Sequence, residues 1–464
     1  MINHFACILA TVLASSLPLT RTAAADLPFD LRVGGAAVEI KADNTMKHYG
    51  GGRFFAGQDA PLRAVAVVVE KPGAGKVAII GCDVIFLKRD LLDPVVEEIA
   101  RLCGIPAAHI LINATHTHHA PSTGTTHGGI PADPVFLARV GPAIVAAARQ
   151  ANERAANNPA RFEFFLGEEY TVGQNSRVLL SDDTVMWIGR RDDVIRPTGP
   201  IDPQLPVLVF RGPEASVRAV IYGHSCHTIG TRKGNVISPG FYGVAAQELE
   251  AEVGAPICFL EGASGSTHNV GMLGPVPFDY AVKRLQQVLR DGLRDAAPRV
   301  VSRVAAIKRP FTYTIRKFDE DAEEAAVAGY LSKRVDDPKQ REIRRAGFAH
   351  GRRALHPHQG QERTTWIQAM VIGEVAIVGV PAEMFTKLGL DIKQRSPFRE
   401  TFIAELANDY VGYLPDREAF KAGGYQTWTG YHNFTEPGTG DRMVDEVIEL
   451  LNELKGESGR VAGP

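Results

Sequence analysis

The chain is poor in cysteine, with five in 464 residues. Cys7 lies in an apolar leader, and Cys82, Cys103, Cys226 and Cys258 are spaced like no zinc knuckle. Three of these four sit in apolar, strand-like runs, which predicts buried free thiols rather than a disulfide framework, even in an exported protein. Charge of one sign is not concentrated anywhere. The formal net charge is -2 and no long Lys/Arg block occurs, so the basic footprint of a nucleic-acid binder is missing and nucleic acid is excluded as a partner. After the leader, no apolar run is long enough to span a membrane. A phosphate loop is absent too: Gly73-Ala74-Gly75-Lys76 has no Ser or Thr after its lysine and runs into a strand rather than a helix. The sequence shows no internal repeat and no linker.

What is present begins with the leader. Phe5 to Leu19 is apolar and rich in small residues, and Thr20 to Ala25 leads into Asp26. Despite an amino-terminal region without Lys or Arg, this reads as a secretory signal peptide over residues 1–25, cut after Ala23-x-Ala25. The expected mature protein is one domain, 26–464, located in the periplasm or outside the cell. Its composition, 45% hydrophobic and 22% charged, is that of an ordinary globular chain.

Strands are predicted at Leu31–Ile40, Pro61–Glu70, Lys76–Phe86, Ile110–Ile112, Val217–Tyr222, Ile257–Leu260 and Met370–Val380. Helices are predicted at Asp90–Cys103 with Gly104 as the stop, Asp133–Ala155 kinked or interrupted by Pro142, Phe241–Glu252, Phe278–Ala296, Asp319–Arg353 and Met443–Leu454. Strands alternating with helices argue for an α/β fold with mixed sheets flanked by helices.

The most informative stretch is Ala114-Thr115-His116-Thr117-His118-His119-Ala120-Pro121, delivered by a buried strand. If that strand stays extended, His116 and His118 face one side, one free to bind a metal and the other to handle a proton. His224-Ser225-Cys226-His227-Thr228 follows a second apolar strand, and Glu383 follows a third. A His, His, carboxylate set suits catalytic zinc with an open position. His119, His127 and His224 read as supporting or loop residues, and Asp83 and Asp202 as local structure.

The ordered motifs resemble those of the neutral, or neutral/alkaline, non-lysosomal ceramidase family. Thr115-His116-Thr117-His118 is similar to its Thr-His-Thr-His signature, Cys226-His227-Thr228 to its second His motif, and Pro381-Ala382-Glu383 to its Pro-Gly-Glu. Gly412-Tyr413 and Gly423-Gly424-Tyr425 resemble its two C-terminal tyrosine motifs. The resemblance implies one Zn²⁺ held by His116, His227, Glu383 and Tyr413. It implies His118 as a non-ligand group at the reacting centre, Tyr425 as an oxyanion donor and Arg177 as a substrate-orienting cation. Two departures stand out. Gly265-Ser266-Thr267-His268-Asn269 occupies the place of a Gly-Asp-Val-Ser-Pro-like loop whose serine the family uses in catalysis. Ser266 by a shift of the loop, His268 as acid/base, or a loop that only shapes the pocket all fit. The chain also ends soon after its last helix, where the family continues into a β-sandwich domain.

The resulting expectation is an exported zinc amidohydrolase acting on a small-molecule or lipid N-acyl amide, ceramide-like. A transient membrane-surface contact is compatible with it, and no obligate protein partner is implied. The alternatives are a zinc esterase or deacetylase on a small metabolite or sugar, and a non-catalytic binding protein of the same fold.

Overall fold

The computed structural model describes residues 27–49, 53–126 and 129–460. The leader and His127, both named above, lie outside the described residues.

One pattern occurs three times in succession: two antiparallel pairings give three strands, a helix crosses over, and a fourth strand lies parallel to the third. In the first unit the strands are Leu31–Glu39, Arg63–Glu70, Lys76–Cys82 and Ile110–Ala114, with the crossover helix Arg89–Cys103. The second uses Pro159–Glu168, Gln204–Arg211, Val217–His224 and Ile257–Glu261, with Gly240–Val253. The third uses Val304–Thr314, Glu362–Ile372, Val375–Gly379 and Glu400–Ala404, with Thr386–Arg395. Each unit then adds a second helix, Pro134–Ala155, Phe278–Asp295 or Thr439–Arg460, that packs on its crossover helix. The first two units join through Leu31 and Arg32 into one mixed nine-stranded sheet, and the third forms its own sheet.

The fourth strands meet at the centre. Glu261 N donates to Asn113 Oδ1 at 3.1 Å, Glu405 N to Glu261 O at 2.8 Å, and Asn408 N to Ile112 O at 2.9 Å, so each unit is tied to the next. The core between the sheets draws on all three, from Leu111, Ile221, Leu260 and Phe402 among others. Each third strand carries a glycine near its C-terminal end, Gly81, Gly223 and Gly379. A Cβ on Gly81 would lie 2.4 Å from the Phe259 carbonyl oxygen, which is why that position carries no side chain.

Several expectations shift at their ends. The third strand stops at Cys82 rather than Phe86, because Asp83 N turns to donate to Arg63 O at 2.9 Å. Met370–Val380 is two strands, reversed at Gly373 with its left-handed φ of 60°. Asp319–Arg353 is two helices, Glu320–Arg334 and Pro338–Leu355: Asp337 caps the second, with Pro338 in its first turn. Pro142 does not break its helix, whose buried face (Phe136, Val140, Ile144, Ala147, Ala151) packs on the sheet and outweighs one lost hydrogen bond. The four described cysteines are buried and free, as expected.

Candidate metal centre and cleft

In an α/β sheet, ligands gather beyond the C-terminal ends of parallel strands. Here three such pairs converge. The first unit supplies His116 and His118 after its fourth strand; the second supplies His227 after its third strand and His268 after its fourth. Glu383 follows the third strand of the last unit, and Tyr410 and Tyr413 follow its fourth.

His116 and His118 do meet, but not through strand alternation. The backbone leaves the strand at Ala114, and His116 adopts a left-handed φ of 58°, a strained state for a non-glycine residue that concentrates at functional sites. The turn brings the two Nε2 atoms to 3.2 Å.

The hydrogen bonds behind the imidazoles fix their tautomers. His116 Nδ1 is 2.7 Å from the Ile85 carbonyl and His227 Nδ1 is 2.9 Å from the Ser264 carbonyl. A carbonyl only accepts, so both Nδ1 atoms carry the proton and both Nε2 lone pairs face inward. They face another acceptor. Glu383 Oε2 lies 3.4 Å from His116 Nε2 and 3.1 Å from His227 Nε2, and Tyr413 Oη is 3.2 Å from His227 Nε2. Donors about 2.05 Å from a tetrahedral ion stand about 3.3 Å apart, so these separations fit a bound divalent cation. His116, His118 and His227 together form a group able to hold a metal ion, with ligand atoms within 4.8 Å of one another. A small cavity of about 40 Å³ opens at this point, lined by His116, His118, Glu383, Tyr410, Tyr413 and Tyr425.

Local structure explains how the last unit brings a carboxylate and a phenol to the cluster. Short strands Glu383–Met384 and Tyr413–Leu414 pair in parallel with Glu383 opposite Tyr413. Gly412 permits this with φ 80°, where a Cβ would sit 2.6 Å from the His432 carbonyl oxygen. Gly265 does the same for the second unit, since a Cβ there would lie 2.3 Å from the Glu383 carbonyl oxygen.

The electrostatics are those of a buried site. Burial opposes ionisation of Glu383, yet His116 and His227 hold its carboxyl well below the ordinary range. Burial first, then the neighbouring His116, pushes His227 down, and burial followed by the neighbouring His116 and His227 pushes His118 well down, which keeps both His227 and His118 neutral. Burial and the Glu383 charge raise Tyr413 and Tyr425, keeping both as phenols.

His118 Nδ1 is 2.6 Å from Tyr49 Oη, and Tyr425 Oη donates to Tyr413 Oη at 3.4 Å. Tyr410 Oη donates to Glu383 Oε1 at 2.7 Å. Tyr49 and Tyr410 were not legible in the sequence; Tyr410 stands three residues before a recognised tyrosine, but Tyr49 carries no signal. His268 stacks on His227 at 3.9 Å between centroids, with its Nε2 buried and unpartnered. Ser266 turns away from the cluster: its Oγ accepts from Thr386 N and donates to Thr386 Oγ1, both at 3.1 Å.

Arg177 lies buried beneath the Tyr425 segment. It donates to Gln426 Oε1 at 2.9 Å and to the carbonyls of Ala419 and Gly423 at 3.2 and 2.7 Å. His119 Nε2 accepts from Gly230 N at 3.2 Å, and His224 is bonded to Tyr242 Oη at 2.6 Å. Asp83 accepts from Arg63 N at 2.9 Å and Thr115 Oγ1 at 3.1 Å, and Asp202 pairs with Lys393.

The cluster opens into a cleft of about 440 Å³. Its outer walls come from the segments between the first and second strands of the three units. Residues 40–62 give Tyr49, 169–203 give Trp187 and Arg191, and 315–361 give Arg344 and Phe348. Another cleft, of about 430 Å³ beside Asp202 and Lys393, contains none of the clustered groups.

Fold and site define an α/β protein with a histidine cluster able to hold a metal ion where three parallel strand pairs end, and its fold is that of the neutral ceramidases. The neutral ceramidase from Pseudomonas aeruginosa matches with TM-score 0.68 at 19% identity, covering 93% of this chain and 75% of that one. A ceramidase complexed with C2 matches with TM-score 0.66 at 17% identity, covering 93% and 76%. No family model matches the chain, and no curated protein matches its sequence.

Proposed function

We propose that this chain is a metal-dependent hydrolase of a ceramide-like N-acyl amide, exported by its leader. The observation that carries the metal is the meeting of two Nε2 lone pairs with a carboxylate oxygen in a buried pocket, an arrangement that calls for a cation between them. Nitrogen and oxygen donors of this kind favour zinc, with His116, His227, Glu383 and Tyr413 holding it. Bound there, it supplies Lewis-acid polarisation of the scissile carbonyl and acidifies a water.

The remaining roles belong to the chain. With His118 Nδ1–H donating to the Tyr49 oxygen, its Nε2 is free to take the proton released by the attacking water and to return it to the departing amine. Tyr425, kept protonated by burial and the Glu383 charge, donates to the developing oxyanion. Arg177 positions Tyr425 by gripping the carbonyls just before it. His268 forms part of the cleft wall, stacked on His227. Met272, Leu273 and Ile343, exposed near the mouth, suit an acyl chain or brief contact with a lipid surface.

The test is turnover of fluorescent C12 ceramide and of short N-acyl amides by the 26–464 protein, with metal content measured and His116→Ala as control. Amide turnover that vanishes with the metal in the control supports the reading. Bound zinc with turnover of short acetyl esters only transfers the site to an esterase or deacetylase.

A further inference from the structure

We infer that the substrate carries an anionic group, a carboxylate or sulfonate, on the amine side of the scissile amide. Arg191 and Arg344, one on each wall of the cleft, would hold it. The inference rests on the amide-hydrolase reading above and specifies its substrate class.

The cleft is one-sided in charge. Two arginines line its outer part, and among the described residues no Asp or Glu does. Of the acids close to them in sequence, Asp193 pairs with Arg334 at 2.7 Å and Glu342 with Arg345 at 3.7 Å, while the exposed Asp192 does not line the cleft. Neither Arg191 nor Arg344 has a carboxylate within ion-pair distance among the described residues. Each is held by neutral acceptors instead. Arg191 donates to the Gly271 carbonyl at 2.8 Å, on the hairpin that follows His268, and its charge is felt at His268. Arg344 donates to Gln340 Oε1 at 3.2 Å, lies 5.8 Å from the Trp187 ring, and leaves its Nε–H buried without a partner. Guanidinium groups positioned this way lack their best partner, a planar anion that two N–H bonds can grip.

The cations sit in line with the chemistry. Tyr425 stacks on Trp187 at 5.0 Å and 10°, and Trp187 in turn meets Arg344, so an aromatic wall leads from the metal cluster to the guanidinium. Phe348, one turn further along the Arg344 helix, packs edge-on against Trp187 at 5.5 Å. Both arginines stand on strand-connecting segments that form the outer walls, whereas the clustered groups stand at the strand ends. An amide of an amine without an anionic group, such as sphingosine, leaves both cations unused, whereas an N-acyl amino acid or N-acyl taurine uses both.

The first arm of the experiment needs no turnover. Zinc-loaded 26–464 protein is titrated, following tryptophan fluorescence, with dodecyloxyacetate and with its neutral isostere dodecyloxyethanol. The anion should bind at least about tenfold more tightly, with a preference that shrinks as salt rises. In the Arg191→Gln/Arg344→Gln double variant the ratio should fall towards one. Equal binding of the two ligands by the native protein overturns the inference.

In the second arm, kcat/KM is compared for N-lauroylglycine, N-lauroyltaurine and N-lauroylethanolamine. Preference for either anion over the ethanolamide, erased in the double variant, supports the inference and tells carboxylate from sulfonate. No turnover of any amide, with anion binding intact, defeats the amide-hydrolase reading and leaves the anion site standing. If the double variant changes only turnover of ceramide in vesicles containing anionic lipid, the arginines are surface anchors and the inference fails.

Discussion

Tyr413 is the residue whose role divides the two ways of completing the metal set. Its hydroxyl faces His227 Nε2, while His118 Nε2 stands as close to His116 from the other side. If Tyr413 is the fourth ligand, Tyr413→Phe weakens zinc affinity by at least about tenfold, whereas His118→Ala lowers turnover and leaves metal content intact. Competition with a chromogenic chelator measures both, and the reverse pattern would make His118 the ligand. His119 belongs to the same loop but acts on stability. Burial, with the nearby His48 charge, lowers its pKa from 6.5 to about 4, and its Nε2 accepts from Gly230 N. The unfolded chain therefore takes up this proton below 6.5 and the folded one only below about 4. The contribution is complete above pH 6.5 and is lost as pH falls towards 4, on the order of 2–3 kcal/mol. Denaturant midpoints between pH 7 and 4.5 should fall less steeply in His119→Gln than in the native chain. At this scale the sequence exposed the histidines, Glu383 and the recognised tyrosines through their motifs. It concealed Tyr49 and Tyr410, which enter by tertiary approach alone.

Among the elements, the loop from Gly262 to Asn269 sets how closely the second unit approaches the third. Gly265 N donates to the Met384 carbonyl at 2.9 Å, and the missing Cβ lets Glu383 pass alongside. Gly265→Ala should cost about 1–3 kcal/mol by overpacking and reduce zinc affinity together with stability, as chemical denaturation and chelator competition would show. Arg177 organises another element. Arg177→Met leaves Gln426 Oε1 and the Gly423 carbonyl beside Tyr425 unpaired, so kcat should drop about tenfold or more while metal content holds. Loss of metal in that variant would place Arg177 in the ligand shell's support instead. The elements were legible where apolar periodicity is strong, as in Arg89–Cys103. They blurred at Met370–Val380 and Asp319–Arg353, where one reverse turn and one proline cap interrupt a continuous pattern without changing its composition.

For the whole molecule, the architecture assigns separate jobs to separate segments: strand ends bring ionisable groups to one point, and the connections between first and second strands wall the cleft above them. This threefold order is absent from the sequence as a repeat. The connecting segments 40–62, 169–203 and 315–361 differ in length and content, and only the sheet pairings reveal that the strands around them follow one scheme. The α/β class and the order of the site motifs were legible, because each motif directly follows an apolar strand. That Asn113, Glu261 and Glu405 join the units at the centre was not, since such contacts link positions far apart in sequence.

Hydrolysis of an N-acyl amide with a metal held at His116, His227 and Glu383 makes turnover depend on one zinc per chain. The most direct test strips the 26–464 protein with chelator, restores zinc in steps, and follows release of free fatty acid from a C12 N-acyl amide. The stripped protein should release none, and release should rise until it saturates at one zinc per chain, a rise absent in Glu383→Gln. Release that ignores zinc, or zinc bound at one per chain with no amide cleaved, would contradict metal-dependent amide hydrolysis.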